Sequence, residues 1–475
     1  MSYSALLTDL YQLTMLAGYH EKGMCESPAV FDLFFRTPPF QGGYAVFAGL
    51  DTALHYLSDL RFTDDDLAYL SSLNIFKPAF LQYLKEFRFR GRVIAPPEGT
   101  VVFPREPLIT VEAPLAQAQL VETALLNMIN FQTLVATKAA RITIAAEGGE
   151  VVEFGLRRAQ GPDGGLSEVR GAYIGGARST SNVWAGKKLG VPVKGTHAHS
   201  WIMAFPDELS AFRAYADVFP DSSVLLVDTY DTLKSGMPNA ILVARELRVK
   251  GHRLLGVRLD SGDLAYLSRE ARRMLDEAGF PEVKILASNE LDEFIIRSLR
   301  EGGGRVDIYG VGTRLATCHG EGGGALGGVY KLVSYNGRPT LKVTSDISKS
   351  TIPARKRLLR VVSGEGRFLM DVMCREEETL RPGDVVYDPT NPLRNKPIPA
   401  GSLLEEIRSV VMEAGETTVP SPSLDEMADR CLEQLRRLPE GVLRLENPHI
   451  YKVSMSLGLH ELRTQLIEEV QRGYA

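Results

Sequence analysis

The sequence predicts an α/β fold in which an irregular parallel β/α barrel is joined to an α+β domain built from the N-terminal and C-terminal segments. Between Val151 and Gly312 six short apolar runs recur, each followed at once by polar residues and glycine. The stretches between the runs carry helical spacing, as in Leu264, Leu267, Ala271, Met274 and Leu275. Outside that region the alternation stops, and mixed helix and strand signals take over. Short, continuously apolar runs suit parallel strands buried on both faces. Their alternation with helical patterns gives a barrel or a closely related parallel sheet. The expected boundaries are 1–134 for the N-terminal α+β domain, 135–335 for the barrel, and 336–475 for a C-terminal segment that returns to the first domain and ends in helices.

In chain order, Leu6 to Tyr19 has helical spacing, Ala29 to Phe35 reads as a strand, and Thr63 with Asp66 forms a capping box that opens a helix. Arg92 to Pro104 and Leu108 to Ala113 read as strands punctuated by proline and glycine, and Leu115 to about Ala146 is helical over an unusual length. The six runs are Val151–Phe154, Val191–Val193, Val224–Val227, Leu254–Val257, Val283–Leu286 and Val306–Tyr309. Glycine-rich Gly320 to Gly328 then leads into Val329–Val333 and further strand-like pieces through Leu359 and Asp384 to Tyr387. Ser423 to Glu426 is a second capping box, starting a helix with Met427, Cys431 and Leu435 on one face.

At 475 residues, 44% apolar and 24% charged, the chain has the composition of an ordered soluble protein with room for two or three domains. A net charge of −5 offers no basic surplus for nucleic acid or an anionic membrane, so neither is an expected partner. The amino terminus lacks a signal-peptide pattern and no apolar stretch is long enough to span a bilayer, which points to the cytoplasm. Four scattered cysteines, Cys25, Cys318, Cys374 and Cys431, suggest buried thiols rather than disulfides or a zinc knuckle.

In a barrel, catalytic groups occupy the carboxyl ends of the strands, where every polar cluster of the repeat falls; the chain reads as an enzyme. Gly310, Gly312 and Thr313 close the last run, where glycines let backbone N–H groups converge on an anion. A tight strand-to-helix turn is the plain alternative, and the position late in the barrel favours phosphate. Gly176 lies in a second small-residue loop, Gly175 to Asn182, with Arg178 as an added charge and a Ser or Thr helix cap as the alternative. Asp228 and Asp260 end neighbouring runs, a pair of hard oxygen ligands suited to magnesium shared with substrate phosphates, against solvated loop carboxylates. Arg258, two residues before Asp260, adds a cation for a leaving pyrophosphate.

Arg157 and Arg158 follow Phe154 directly and are costly at a sheet mouth unless an anion or an internal carboxylate meets them. Phe154 and Tyr11 are able to stack on a flat ring or to serve the core. His199, in Gly195-Thr196-His197-Ala198-His199-Ser200, suits a base, a ligand or a nucleophile. His197 and His199 lack a third spaced ligand, so zinc is disfavoured.

These motifs resemble the nicotinate phosphoribosyltransferase family. The resemblance runs from Thr8-Asp9-Leu10-Tyr11-Gln12-Leu13-Thr14-Met15 through Glu153-Phe154-Gly155-Leu156-Arg157-Arg158 and Gly195 to Ser200 as far as Asn447-Pro448-His449-Ile450-Tyr451, nearly the whole chain. It implies ATP-coupled transfer of phosphoribosyl from phosphoribosyl pyrophosphate to nicotinate with magnesium, no tightly bound organic cofactor, and a homodimer with shared active sites. By the same resemblance His199 is the residue phosphorylated by ATP, with Thr196 and Ser200 as substrate contacts beside it. Phe154 and Tyr11 of the other subunit sandwich the pyridine ring, Arg157 sits near the carboxylate, and Asp9 and Arg36 contribute from the other subunit, Arg36 at the pyrophosphate. Two departures stand out: His197 fills a slot that is usually apolar, and the basic stretch through Lys342 and Lys349 to Lys356 has Ala354 where glycine is usual. The nearest rival readings are nicotinamide phosphoribosyltransferase, quinolinate phosphoribosyltransferase and a phosphosugar-binding barrel without turnover.

Overall fold

The computed structural model of the chain describes residues 3–343, 350–391 and 393–473. It divides into two units, Met1–Leu134 with Ala325–Ala475, and Val135–Gly324. The border expected at 335 falls at 324 instead, because strand Gly328–Tyr335 pairs antiparallel with Pro28–Phe35 and so joins the first unit's sheet.

The first unit holds a seven-stranded antiparallel sheet centred on Pro28–Phe35 and Ile109–Pro114. Every residue of Pro28–Phe35 after the proline is buried, so that strand is covered on both faces. Its Leu33 and Phe35 join Leu54, Leu57, Ile109 and Val111 in one large apolar core. The helix expected from Leu115 to Ala146 is two, Leu115–Leu120 and Glu122–Ala146, separated at Val121. Both capping boxes form, Thr63 with Asp66 and Ser423 with Glu426. From the C-terminal segment, strand Ser409–Glu413 pairs with Arg92–Ala95 in the first sheet, and other strands build a separate six-stranded sheet. Ala354 has φ +70°. The cause is local: buried Lys356 pairs with Asp32 at 2.7 Å and donates from Nζ to the carbonyls of Ile352 at 2.9 Å and Ala354 at 2.6 Å, so the chain must curl around its ammonium. Lys349 lies outside the described residues.

The second unit is built on six parallel strands, β1 (Glu150–Glu153), β2 (Ser179–Thr180), β3 (Val224–Leu226), β4 (Gly256–Leu259), β5 (Lys284–Ser288) and β6 (Ile308–Val311). Their order is β2-β1-β6-β5-β4-β3, so the first and last of the β/α series are neighbours. Helices fill the connections, and one of them, Glu293–Glu301, is tied inward by buried Glu293, which pairs with Lys138 and Arg141. The second apolar run, Val191 to Val193, forms no ladder; Val193 makes a single parallel bridge to Thr180. The strand beside β1 is instead β2, two polar residues that no apolar pattern marks. Among the described residues no ladder joins Val193 to β3; His197 reaches across there, its Nε2 accepting the Leu226 N–H at 3.2 Å. The expected barrel is therefore a parallel sheet with one unladdered seam. Among the described residues no helix is long and apolar enough to cross a membrane, and all four cysteines are buried.

Candidate active site

Because the strands are parallel, the residues that follow β1, β3, β4, β5 and β6 share one rim. Asp228, two residues beyond β3, is the hub of that rim. Its side chain is only 2% exposed, and its Oδ1 lies 3.2 Å from Nε2 of the half-exposed His199. Its Oδ2 accepts the Asp260 N–H at 2.9 Å and the Ser261 hydroxyl at 2.6 Å. One carboxylate thus holds the imidazole and the loop after β4 together.

Arg258 at the end of β4 forms the second knot. It donates from Nε to Ser288 Oγ at 2.8 Å, from Nη1 to Thr196 Oγ1 at 2.9 Å, and from Nη2 to Asp260 Oδ1 at 2.6 Å. Its guanidinium carbon lies 5.8 Å from the centre of the Phe154 ring. These bonds use three of the five N–H donors of a guanidinium and leave donors for an anion. The Ser288 hydroxyl also donates to Asp260 Oδ1.

Phe154 follows β1 as a half-buried wall, and the ring fits because Gly310 has no side chain: a Cβ there would come within 2.6 Å of it. Gly310, expected in a phosphate loop, is inside β6, in register with Ser288 and Val152, and its role is to make room for the ring. Gly312 and Thr313 do stand at the rim, opening the short helix Thr313–Ala316. Arg157 and Arg158 are exposed on the turn Leu156–Arg158, and neither makes an ion pair among the described residues. Thr196 is fixed by Arg258, whereas Ser200 is exposed in the first turn of His199–Met203.

Gly176 does not belong here. It lies between helix Gly161–Ile174 and the start of β2, hence at the opposite, amino-end rim, with φ +111° and Thr143 where a side chain would go. The sequence places it before a helix, but β2 intervenes; the helix cap in that stretch is Asn182, accepting the Ala185 N–H at 3.0 Å.

His197 is buried, packed edge-on against Tyr215 at 4.7 Å, and burial pushes its pKa down to about 4. With Nε2 accepting from Leu226, it is a neutral seam-bridging residue with no exposed lone pair. Asp9, Tyr11 and Arg36 lie in the first unit. Asp9 precedes helix Leu10–Glu21 and accepts the Thr123 hydroxyl at 2.7 Å, Tyr11 is 47% exposed on that helix, and Arg36 follows strand Pro28–Phe35 with its guanidinium 5.8 Å from the Phe34 ring centre.

Residue patterns missed three contributors. Ser261 and Ser288 sit inside the recognised polar clusters, but a serine there carries no signal of its own. Glu153 did carry one, a carboxylate inside a buried run: it accepts the Thr180 hydroxyl and the Gly155 N–H, beneath the turn bearing Phe154 and Arg157. Beside it Glu168 is fully buried; burial, and next the Glu153 charge, push Glu168 well above the usual carboxylate range.

Comparison with known proteins finds relatives that match nearly the whole chain. The family model for the nicotinate phosphoribosyltransferase (NAPRTase) N-terminal domain matches residues 6–130, and that for the C-terminal domain matches residues 355–463. Nicotinate phosphoribosyltransferase of Bacillus subtilis is 42% identical over 98% of this chain and 97% of its own length. The chain belongs to the nicotinate phosphoribosyltransferase family. The family protein of Dictyostelium discoideum is 39% identical over 96% of this chain and 87% of its own. The crystal structure of human nicotinic acid phosphoribosyltransferase superposes with a TM-score of 0.86 at 35% identity, covering 97% of this chain and 99% of that one. The strand-end cluster lies between the two domain matches, in a part of the nicotinate phosphoribosyltransferase chain that only the full-length relatives span.

Proposed function

We propose that this enzyme transfers phosphoribosyl from phosphoribosyl pyrophosphate to nicotinate, giving nicotinate mononucleotide and pyrophosphate, and couples the transfer to ATP through phosphorylation of His199. The observation that carries the reading is the His199–Asp228 pair on a rim that also presents Arg258, Asp260 and Arg157. Asp228 accepts from the Nε2 side of the ring, so Nε2 carries the proton and Nδ1 presents the lone pair. Attack of Nδ1 on the γ-phosphorus of ATP breaks the bond to ADP and leaves a dianion on the edge of the ring opposite Asp228. In the transfer, the pyridine nitrogen forms a bond to the ribose carbon while the bond to pyrophosphate breaks, and the electron pair leaves with the pyrophosphate. No general base is needed, and catalysis rests on positioning and on the remaining Arg258 donors facing the developing charge.

Phe154 supplies a flat face for the pyridine ring and Arg157 a free cation for its carboxylate. Asp9, Tyr11 and Arg36 would complete the site from a second copy in a homodimer. Magnesium fits in a restricted way: both Asp228 oxygens already face protein donors, so Asp260 would hold the ion with water and substrate phosphates, and no group of three ligating side chains exists among the described residues. When bound, the ion would neutralise pyrophosphate charge.

Steady-state turnover with nicotinate and nicotinamide in competition tests the reading. Preference for nicotinate, with ADP formed alongside the mononucleotide, is the expected result. Preference for the amide would reassign the substrate, and ligand binding without pyrophosphate release would leave a barrel without turnover. Asp228→Asn should slow His199 phosphorylation by roughly a hundredfold while the protein stays folded.

A further inference from the structure

His199 and Asp228 meet across the seam of the parallel sheet, where among the described residues no ladder joins the two segments, so side chains must set their separation. His199 opens the short helix His199–Met203, which is fixed to helix Glu208–Val218: the Trp201 indole N–H donates to the Ala211 carbonyl at 3.0 Å, and Tyr215 meets the His197 and Trp201 rings edge-on at 4.7 and 5.8 Å. Asp228 belongs to the loop after β3, which runs into a π turn, Thr232–Gly236, capped by Asp231. That turn is pressed onto the strand end: a Cβ on Gly236 would come within 1.9 Å of the carbonyl oxygen of Val227, the residue before Asp228. Glu208 joins the two sides. It is only 4% exposed, and its Oε2 accepts the Ser235 hydroxyl and, at 2.9 Å, the Asn239 side-chain N–H. Its Oε1 makes no hydrogen bond among the described residues. A carboxylate is costly to bury without a cation, whereas helix packing alone would be met by an apolar side chain.

We propose that Glu208 is a positioning residue for the phosphorylation of His199: by tying the helix that carries the His199 segment to the turn that follows Asp228, it fixes the imidazole against the Asp228 carboxylate. The proposal rests on His199 being the residue that ATP phosphorylates. Phosphoryl transfer is sensitive to such a tie because the attacking nitrogen must be aimed in line with the leaving group, and a displacement of about 1 Å costs about a hundredfold in rate. The contacts close a ring: His199 on Asp228, Trp201 on Ala211, and Glu208 on Ser235 and Asn239. Glu208 bonds to neither His199 nor Asp228, so its effect passes through their geometry.

Single-turnover formation of phosphohistidine, followed across ATP concentrations in the full chain, tests this in a double-mutant cycle with Asp228→Asn. Glu208→Ala should lower the limiting rate by about tenfold or more while the ATP concentration giving half that rate stays within about twofold. Glu208→Gln keeps an acceptor oxygen for Ser235 and Asn239 and should hold the rate within about threefold of the native chain. In the Asp228→Asn background Glu208→Ala should add less than about twofold, because the geometry it guards is already lost. Ser235→Ala with Asn239→Ala cuts the same tie from its other side and should reproduce the loss, so the test stands even where Glu208→Ala does not fold. A native chain that forms no phosphohistidine overturns the reading of His199 itself. With the native chain phosphorylated, an unchanged rate in Glu208→Ala, an equal loss in Glu208→Gln, or an undiminished loss in the Asp228→Asn background overturns the role of Glu208 alone.

Discussion

His197 and His199 stand two positions apart and do different work, because one ring is buried and the other is not. His199 meets a carboxylate on Nε2 and solvent elsewhere. His197 is held neutral by its burial and bridges the seam of the parallel sheet. Its folded pKa, about 4, lies below the unfolded value of about 6.5, so the unfolded chain binds the extra proton and stability falls as pH drops between those values. The slope approaches 1.4 kcal/mol per pH unit for one proton. Denaturation followed from about pH 7 to pH 4 should show that component in the native chain and lose it in His197→Asn. An apolar residue, usual at this slot, would fill the same space without the seam hydrogen bond.

At the level of elements, two buried ionisable groups, Lys356 and Glu168, each make a prediction. Ala354 takes a left-handed conformation because Lys356 binds its carbonyl, at a cost a glycine would not incur. Ala354→Gly should raise unfolding free energy by about 0.5–1 kcal/mol in denaturant titration. Glu168 keeps its proton in the folded chain above the unfolded carboxylate value of about 4.3, so its contribution is complete below that pH and is lost as pH rises through the folded value. Glu168→Gln is neutral at every pH; melting should be unchanged near pH 4 and higher than the native chain near pH 8.

The sequence made these elements legible to unequal degrees. Val224–Val227 and Val283–Leu286 are apolar because β3 and β5 are largely buried strands of the parallel sheet, and that pattern survives in sequence. β2 is polar because Thr180 serves the Glu153 carboxylate, so a packing pattern could not mark it. Gly310 was read as a phosphate donor because a glycine's missing side chain does not say whether it admits an anion or, as here, an aromatic ring. Gly176 was misplaced by the same blindness to β2.

For the whole molecule, the discontinuous first unit explains why the border expected at 335 falls at 324: its sheet is completed by Gly328–Tyr335 and Ser409–Glu413, which return after the second unit. The rim residues came from separate strands, and their meeting followed from the repeat alone once the strands were parallel. What the repeat did not show is the hierarchy, with Asp228 committed to His199 rather than left open for a metal.

Mass-spectrometric mapping of phosphate after incubation with ATP tests that hierarchy most directly. The phosphate should be found on His199 in the native chain and in His197→Asn, and should vanish with His199→Ala while slow uncoupled transfer continues. Phosphate on His197, or full ATP coupling in His199→Ala, would contradict the account.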